Sequence, residues 1–157
     1  MQTASKLFMT AVAMTLAHTV FAGQVELQCR RGTGDCNANV HVTKASSGAP
    51  CQANVGNGRI RVKRDAGPVR HVWKIVTAPN DKSQYEWDIP NGIEILKDPD
   101  HQVLNSGINK NGHFWILNAN TVPGSEIEYI AHVHQVVRHA ENVKCESVDP
   151  RIINDLL

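Results

Sequence analysis

Short alternations of polar and apolar residues run along most of the chain. From Arg59 to Arg64 the residues read Arg-Ile-Arg-Val-Lys-Arg. A period of two is typical of a β-strand with one buried and one solvated face. Comparable runs occur at Val25–Arg30, Val40–Lys44, His71–Thr77, Tyr85–Ile89, Ile93–Leu96, Phe114–Asn118, Glu126–Val137 and Val143–Glu146. The pattern therefore predicts about nine short strands.

Turn signals separate these runs. Asn57-Gly58 and Asn91-Gly92 are of the type that tight hairpins favour, because both residues tolerate a positive φ. Short strands with regular turns predict an all-β fold, an antiparallel Greek-key β-sandwich. Trp73 is expected to be buried between the two sheets, and Phe114 and Trp115 are further candidates for the core.

The one helix signal lies at the end of the chain. Asp149 is a good N-cap residue, and Pro150 suits the first helical position. Ile152, Ile153 and Leu156 would then share one helical face. We therefore expect a short C-terminal helix.

The first residues have the layout of a secretory signal peptide. From Leu7 to Ala22 there is no charged residue, and Val20-Phe21-Ala22 places small residues at positions −3 and −1 of a cleavage site. The alternative is an uncleaved membrane anchor, which needs about 20 predominantly apolar residues. The uncharged run is shorter and contains three threonines and a histidine. We predict cleavage after Ala22, leaving residues 23–157 as a single exported domain, periplasmic or secreted.

All four cysteines follow the predicted cleavage site, and in an oxidising compartment they are expected to form two disulfides. Cys29 and Cys145 alternate with polar neighbours on predicted strands, whereas Cys36 and Cys51 lie among Gly, Asp, Asn and Pro, which are loop residues. Pairing core with core and loop with loop favours Cys29–Cys145 and Cys36–Cys51. The alternative is Cys29–Cys36 with Cys51–Cys145. A zinc site of four cysteines is disfavoured because no C-x-x-C pair is present.

The charge balance does not point to nucleic acid. The chain has 16 Lys and Arg against 15 Asp and Glu, a formal net charge of +1. The charges are nevertheless uneven along the sequence, because residues 23–74 carry nine basic and three acidic residues and residues 75–157 carry six basic and twelve acidic ones. The two halves either present complementary faces or interleave in space.

A charge-segregated chain is suited to binding an oppositely charged partner. Arg59, Arg61 and Lys63 lie on one strand in the basic half and are the candidate binding residues. Their partner would be a protein, an anionic surface of the cell envelope, or a second copy of the chain. The sequence contains no G-x-S-x-G elbow, P-loop, H-E-x-x-H or dinucleotide fingerprint. These features favour a binding or interaction module that is not an enzyme.

A pair of histidines offers a different function. His132 and His134 are two residues apart on a predicted strand, so both rings point to the same face and are able to share a metal ion. Copper and zinc are the metals that such imidazoles suit. A third ligand would come from His41, His71, His113 or His139. The alternative is a pair of solvated histidines, opposite an inward-facing set formed by Ile127, Tyr129, Ala131 and Val133.

The segment Val122–His134 resembles the late-strand region of cupredoxins, in which a Pro-Gly turn leads into a strand with a tyrosine and then to the copper ligands. Tyr129 is also similar to the tyrosine corner of immunoglobulin-like domains. The resemblance implies a sandwich fold. It does not extend to a blue-copper electron carrier, because Ala131 or His132 stands where the cysteine belongs and no methionine follows. A periplasmic protein that binds copper or zinc through His132 and His134 is therefore the second hypothesis.

Overall fold

The structure is a computed structural model. It describes residues 26–32, 34–44, 50–56, 58–147 and 150–156. The predicted signal segment, residues 1–22, and the predicted N-cap Asp149 lie outside these ranges. Within them, no helix has the length and apolar character needed to cross a membrane.

The described residues form β-structure throughout, with no α-helix and a single 3₁₀ turn at Arg64–Ala66. The strands are β1 (Leu27–Cys29), β2 (Cys36–Thr43), β3 (Gln52–Val55), β4 (Arg59–Val62), β5 (Val69–Thr77), β6 (Gln84–Trp87), β7 (Ile93–Lys97), β8 (Val103–Ile108), β9 (Phe114–Asn118), β10 (Glu126–Ala131), β11 (Val133–Val136), β12 (Val143–Lys144), β13 (Glu146–Ser147) and β14 (Arg151–Asn154). The all-β fold predicted from the alternation is confirmed.

The strands make three ladders that form two packed layers. One layer is a six-stranded sheet in the order β13-β3-β2-β5-β9-β8. The other combines a five-stranded ladder, β1-β4-β14-β10-β7, with a three-stranded one, β12-β11-β6. The two ladders are continuous through His132, which joins β10 to β11: its N–H donates to the Gly92 carbonyl (2.8 Å), and its carbonyl accepts from the Asp88 N–H (2.9 Å). The result is a β-sandwich-like arrangement.

Trp73 and Tyr129 connect the two layers at the centre of the core. Both side chains are fully buried. The Trp73 indole N–H donates to the Tyr129 hydroxyl at 3.1 Å, and the two rings meet edge to face with centroids 5.1 Å apart. Burial raises the pKa of the Tyr129 hydroxyl, so this group stays protonated. The predicted burial of Trp73 is confirmed, as is that of Phe114, whereas Trp115 is only half-buried.

Alternation predicted the faces of the longest strand run correctly. Along β10 and β11 the predicted inward set is buried: Ile127, Tyr129, Ala131 and Val133. Periodicity carries no information on strand direction, however, and the prediction of purely antiparallel sheets is wrong. Among the described strand pairs, β1 with β4, β4 with β14, β2 with β5 and β3 with β13 are parallel.

The predicted C-terminal helix is wrong, because residues 151–154 form strand β14. This strand inserts between β4 and β10, pairing Ile152 with Ile60 on one side and with Ile127 on the other. Two adjacent β-branched isoleucines suit a strand, and Ile152 is completely buried there. A helix at this place would leave the facing backbone groups of β4 and β10 without ladder partners.

The disulfides are Cys29–Cys36 and Cys51–Cys145, so the favoured pairing, Cys29–Cys145 with Cys36–Cys51, is wrong and the alternative is observed. The reason is that Cys36 and Cys51 are buried rather than exposed in loops. Cys145, by contrast, is only partly buried, so the division into core and loop cysteines does not hold and does not determine the pairing. Cys29 ends β1 in one layer and Cys36 begins β2 in the other.

The bond between Trp73 and Tyr129 leads to a testable prediction. Replacing Tyr129 with Phe leaves the buried indole N–H without an acceptor, which costs about 1–3 kcal/mol of unfolding free energy. Tyr85→Phe is the matched control, because the Tyr85 hydroxyl bonds to Asp81 in a half-exposed position where water is able to replace it. Urea unfolding measures both variants. Equal losses in the two variants would contradict the central role of Tyr129.

Candidate functional site

The predicted basic site lies on β4 and is partly occupied by the protein's own carboxylates. Arg59 is exposed, but Arg61 and Lys63 both contact Asp155. The Arg61 Nη1 atom is 2.7 Å from Asp155 Oδ1, and the Arg61 Nε atom also bonds to Glu26. The Asp155 side chain is only 7% exposed. Cations of the basic half and a carboxylate of the acidic half therefore meet here, so the two halves interleave at this point.

This cluster stabilises the charged form of Asp155. Hydrogen bonds from Lys63 and then from Arg61 lower the pKa of the Asp155 carboxyl below its ordinary value. An anionic partner that binds Arg61 and Lys63 has to compete with this carboxylate. The role of Arg59, Arg61 and Lys63 in binding stays a prediction.

The predicted histidine pair lies at the bend between β10 and β11, where the His132 side chain is 35% exposed and that of His134 is 14% exposed. His132 Nε2 is 2.7 Å from Glu94 Oε2, and His134 Nδ1 is 3.8 Å from Asp88 Oδ1. Each ring thus faces its own carboxylate. In the described part of the chain, neither histidine belongs to a close group of three His, Cys, Asp or Glu side chains. Metal binding by this pair stays a prediction.

A different histidine lies in a chemically unusual place. His71, on β5, is completely buried, and neither of its ring nitrogens has a hydrogen-bond partner. Burial lowers the pKa of the ring to about 3, so the imidazole is neutral at physiological pH. One ring nitrogen and the sulfur atoms of Cys29 and Cys36 all lie within 4.8 Å of one another. Among the described residues, these are the three His, Cys, Asp or Glu side chains whose ligand atoms lie close enough together to share a metal ion.

The open edge of the sandwich is a second feature that sequence reasoning missed. β8 ends the six-stranded sheet, and its residues, Val103–Ile108, carry no charge. Leu104 is 59% exposed and Ile108 is 38% exposed. A groove of about 460 Å³ opens beside Ile108, and its walls include the β8–β9 turn residues Asn111, Gly112 and His113 and the strand β6 of the other layer. Apolar side chains contribute much of its wall: Ile75, Tyr85, Trp87 and Ile89.

The sequence contained a signal for one of these features and none for the other. His71 is two residues from Trp73 on an alternating strand, so the expected burial of Trp73 implies that His71 faces inward too. The β8 sequence Val-Leu-Asn-Ser-Gly-Ile does not alternate. The ladder to β9 shifts register between Val103 and Asn105, which interrupts the period.

Comparison with known proteins does not add an assignment. The sequence matches no protein-family model and no curated protein. The functional proposals therefore rest on the geometry of the edge strand and of the buried side chains.

The Asp155 cluster predicts a specific pH dependence of stability. Because its folded pKa lies below the ordinary 3.8, Asp155 contributes stability above that pH and loses it as the pH falls through the folded value. Asp155→Asn should therefore lower the unfolding free energy at pH 7, and the difference from the wild type should shrink at pH values below 3.8. Urea unfolding across this pH range measures it, with the exposed Asp65→Asn as control. A difference that stays constant with pH would contradict the assignment.

Proposed function

We propose that the protein is an exported, disulfide-stabilised interaction module without catalytic activity, and that it pairs with a second copy of itself through strand β8. Two disulfides suit a protein that works in an oxidising compartment. The observation that carries the pairing is the uncharged strand β8, whose outer edge has no strand partner among the described residues.

An exposed strand edge offers backbone groups for pairing with another strand, and soluble proteins usually protect such edges with charges, prolines or a covering segment. Along β8 there is neither a charge nor a proline; the register shift between Val103 and Asn105 interrupts the first part of the strand, and residues 106–108 follow it in regular register. The Ser106 N–H illustrates what the edge offers, because it donates to the side-chain oxygen of the adjacent Asn105, at 2.8 Å. An incoming strand is able to replace such a local partner with a backbone carbonyl.

The charges along the edges favour a second copy as the partner. An antiparallel pair of β8 strands brings no like charges together, because the strand is neutral. Of the other strands that end a described ladder, β6 carries Glu86 and β7 carries Glu94 and Lys97, whereas β1 is also uncharged but is only three residues long. A two-fold pair also needs only one self-complementary surface. The added strand would cover the exposed Ile108 and part of the adjoining groove.

Two other functions remain proposals with less support. Binding of an anionic cell-envelope partner by Arg59, Arg61 and Lys63 would require Asp155 to be displaced from the last two. Binding of copper or zinc by His132 and His134 would require each ring to leave its carboxylate. A Greek-key topology and a relation to cupredoxins or immunoglobulin-like domains are likewise proposals.

The proposal is tested by sedimentation velocity over a series of protein concentrations. We expect a reversible dimer for the wild type, and Leu104→Lys should weaken it at least about tenfold, or ~1.4 kcal/mol, by placing a charge on each paired edge. Ser106→Pro should weaken it as well, because proline removes a backbone donor from the strand.

Leu96→Lys is the matched control, since Leu96 is an exposed leucine on a different edge strand, β7. It should dimerise like the wild type. A wild type that is monomeric at every concentration would overturn the proposal, as would equal weakening by Leu96→Lys and Leu104→Lys. Circular dichroism of each variant confirms that the comparison is between folded proteins.

A further inference from the structure

We propose that Cys29, Cys36 and His71 form a binding site for a thiophilic metal ion, Zn²⁺ or Cu⁺, when the Cys29–Cys36 disulfide is reduced. The site lies in the interior of the sandwich, far in sequence from His132 and His134. It is independent of the pairing of β8 proposed above.

The geometry of the three side chains fits a shared metal ion. Their ligand atoms lie within 4.8 Å of one another. Two ligands of a tetrahedral Zn²⁺, at about 2.0–2.3 Å from the metal, are separated by roughly 3.3–3.8 Å. Small side-chain rotations therefore bring a ring nitrogen and two sulfur atoms to ligand distances. Cys36 and His71 are register partners in the parallel β2–β5 ladder, which holds their backbones side by side.

The unpartnered imidazole is the second, independent observation. Buried polar atoms are nearly always hydrogen-bonded, and an unpaired one costs free energy. His71 has two such atoms with no partner, in a position that is completely buried. A metal ion would give one of these nitrogens a bond.

The ligand set determines the class of metal. Thiolates select Cu⁺ and Zn²⁺ among the common ions, and imidazole is compatible with both. Carboxylates are not part of the cluster, so the hard cations Ca²⁺ and Mg²⁺ are not favoured. Three protein ligands leave one tetrahedral position of Zn²⁺ for a further ligand.

The disulfide closes a short loop, which makes its reduction compatible with the fold. Cys29 and Cys36 are seven residues apart, whereas Cys51 and Cys145 are 94 residues apart. In the chain-entropy account, the shorter loop contributes less to stability. Cys29 and Cys36 are themselves buried, but the segment that connects them includes the exposed residues Arg31, Gly32 and Gly34, so local opening of this segment would expose the disulfide to a reductant.

A dithiol is the reductant that opens the Cys29–Cys36 disulfide. The dithiol supplies two electrons and two protons: the Cys29–Cys36 S–S bond breaks, two thiols form, and the dithiol becomes a disulfide. Metal binding then releases both thiol protons to solvent, because cysteine coordinates as the thiolate. Exchange with a small disulfide reverses the step: the disulfide takes two electrons from the two thiolates and two protons from solvent and becomes a dithiol, the Cys29–Cys36 S–S bond forms again, and the metal ion is released. The site is thus available only in the reduced protein.

The test uses Co²⁺ as a spectroscopic probe of a site for Zn²⁺. The protein is reduced with dithiothreitol, freed of it without oxygen, and titrated with Co²⁺. We expect near-ultraviolet thiolate-to-cobalt bands and visible bands of a tetrahedral ion in the reduced protein, displaced by Zn²⁺, and neither in the oxidised protein. A parallel titration with Cu⁺ against a chelator shows which of the two ions binds more tightly.

Matched variants locate the site. The double variant Cys29→Ser/Cys36→Ser should lose the thiolate bands, whereas Cys51→Ser/Cys145→Ser should keep them. His71→Gln should weaken Co²⁺ binding at least about tenfold and shift the visible bands, because a nitrogen ligand is lost. His132→Ala/His134→Ala should behave like the wild type, which separates this site from the His132/His134 pair.

Several outcomes would overturn the proposal. They are the absence of Co²⁺, Zn²⁺ and Cu⁺ binding by the reduced wild type, retention of the thiolate bands in Cys29→Ser/Cys36→Ser, or their loss only in the Cys51/Cys145 variant. Circular dichroism of the reduced protein is recorded with and without metal. A reduced protein that unfolds and does not regain its fold with metal also overturns the proposal, whereas metal-dependent recovery of the fold supports it.

Discussion

The strand β14 is the element on which the layer that contains the five-stranded ladder depends. It lies between β4 and β10, and in the described ladder it is the link that joins the β1–β4 pair to the rest of that layer. Asp155, directly after β14, contacts Arg61 and Lys63 from the β4 segment, so an ionic cluster reinforces the backbone ladder. Because β1 carries Cys29, the closing of this layer also brings Cys29 to Cys36 and His71 in the other layer.

Features that depend on local periodicity were predictable from the sequence. Alternation along residues 126–134 identified the buried face of β10 and β11, and the position of Trp73 in an alternating run identified a core residue. The secondary structure of Ile152 and Ile153 was not predictable from local periodicity. Two adjacent isoleucines after a proline fit both the first turn of a helix and a strand. The strand forms because its backbone pairs with both β4 and β10, and this pairing depends on residues far away in the sequence.

The candidate sites show the same division. His71 shares its inward orientation with Trp73, so its burial follows from the period, but its proximity to Cys29 depends on two layers that no local pattern relates. Cys36 illustrates the limit, because Gly and Asp beside it indicated a loop while its own side chain is buried at the start of β2. The edge position of β8 was not predictable from the sequence either, because it depends on which strands pair with β8 and not on the residues of β8 itself.

The register of the six-stranded sheet relates the two proposed sites to each other. Cys36, His71, Ile116 and Ser106 are successive partners across β2, β5, β9 and β8. One row of the sheet therefore runs from the disulfide to the open edge, and Ile116, which is completely buried, lies between them. A tightly packed aliphatic side chain couples two sites only when the residues around it have two stable arrangements. A shared register does not provide two such arrangements. The edge and the buried cluster are accordingly two separate proposed sites in one sheet. The neutral strand β8 would pair with another chain, whereas the cluster would bind a metal ion only after the Cys29–Cys36 disulfide is reduced.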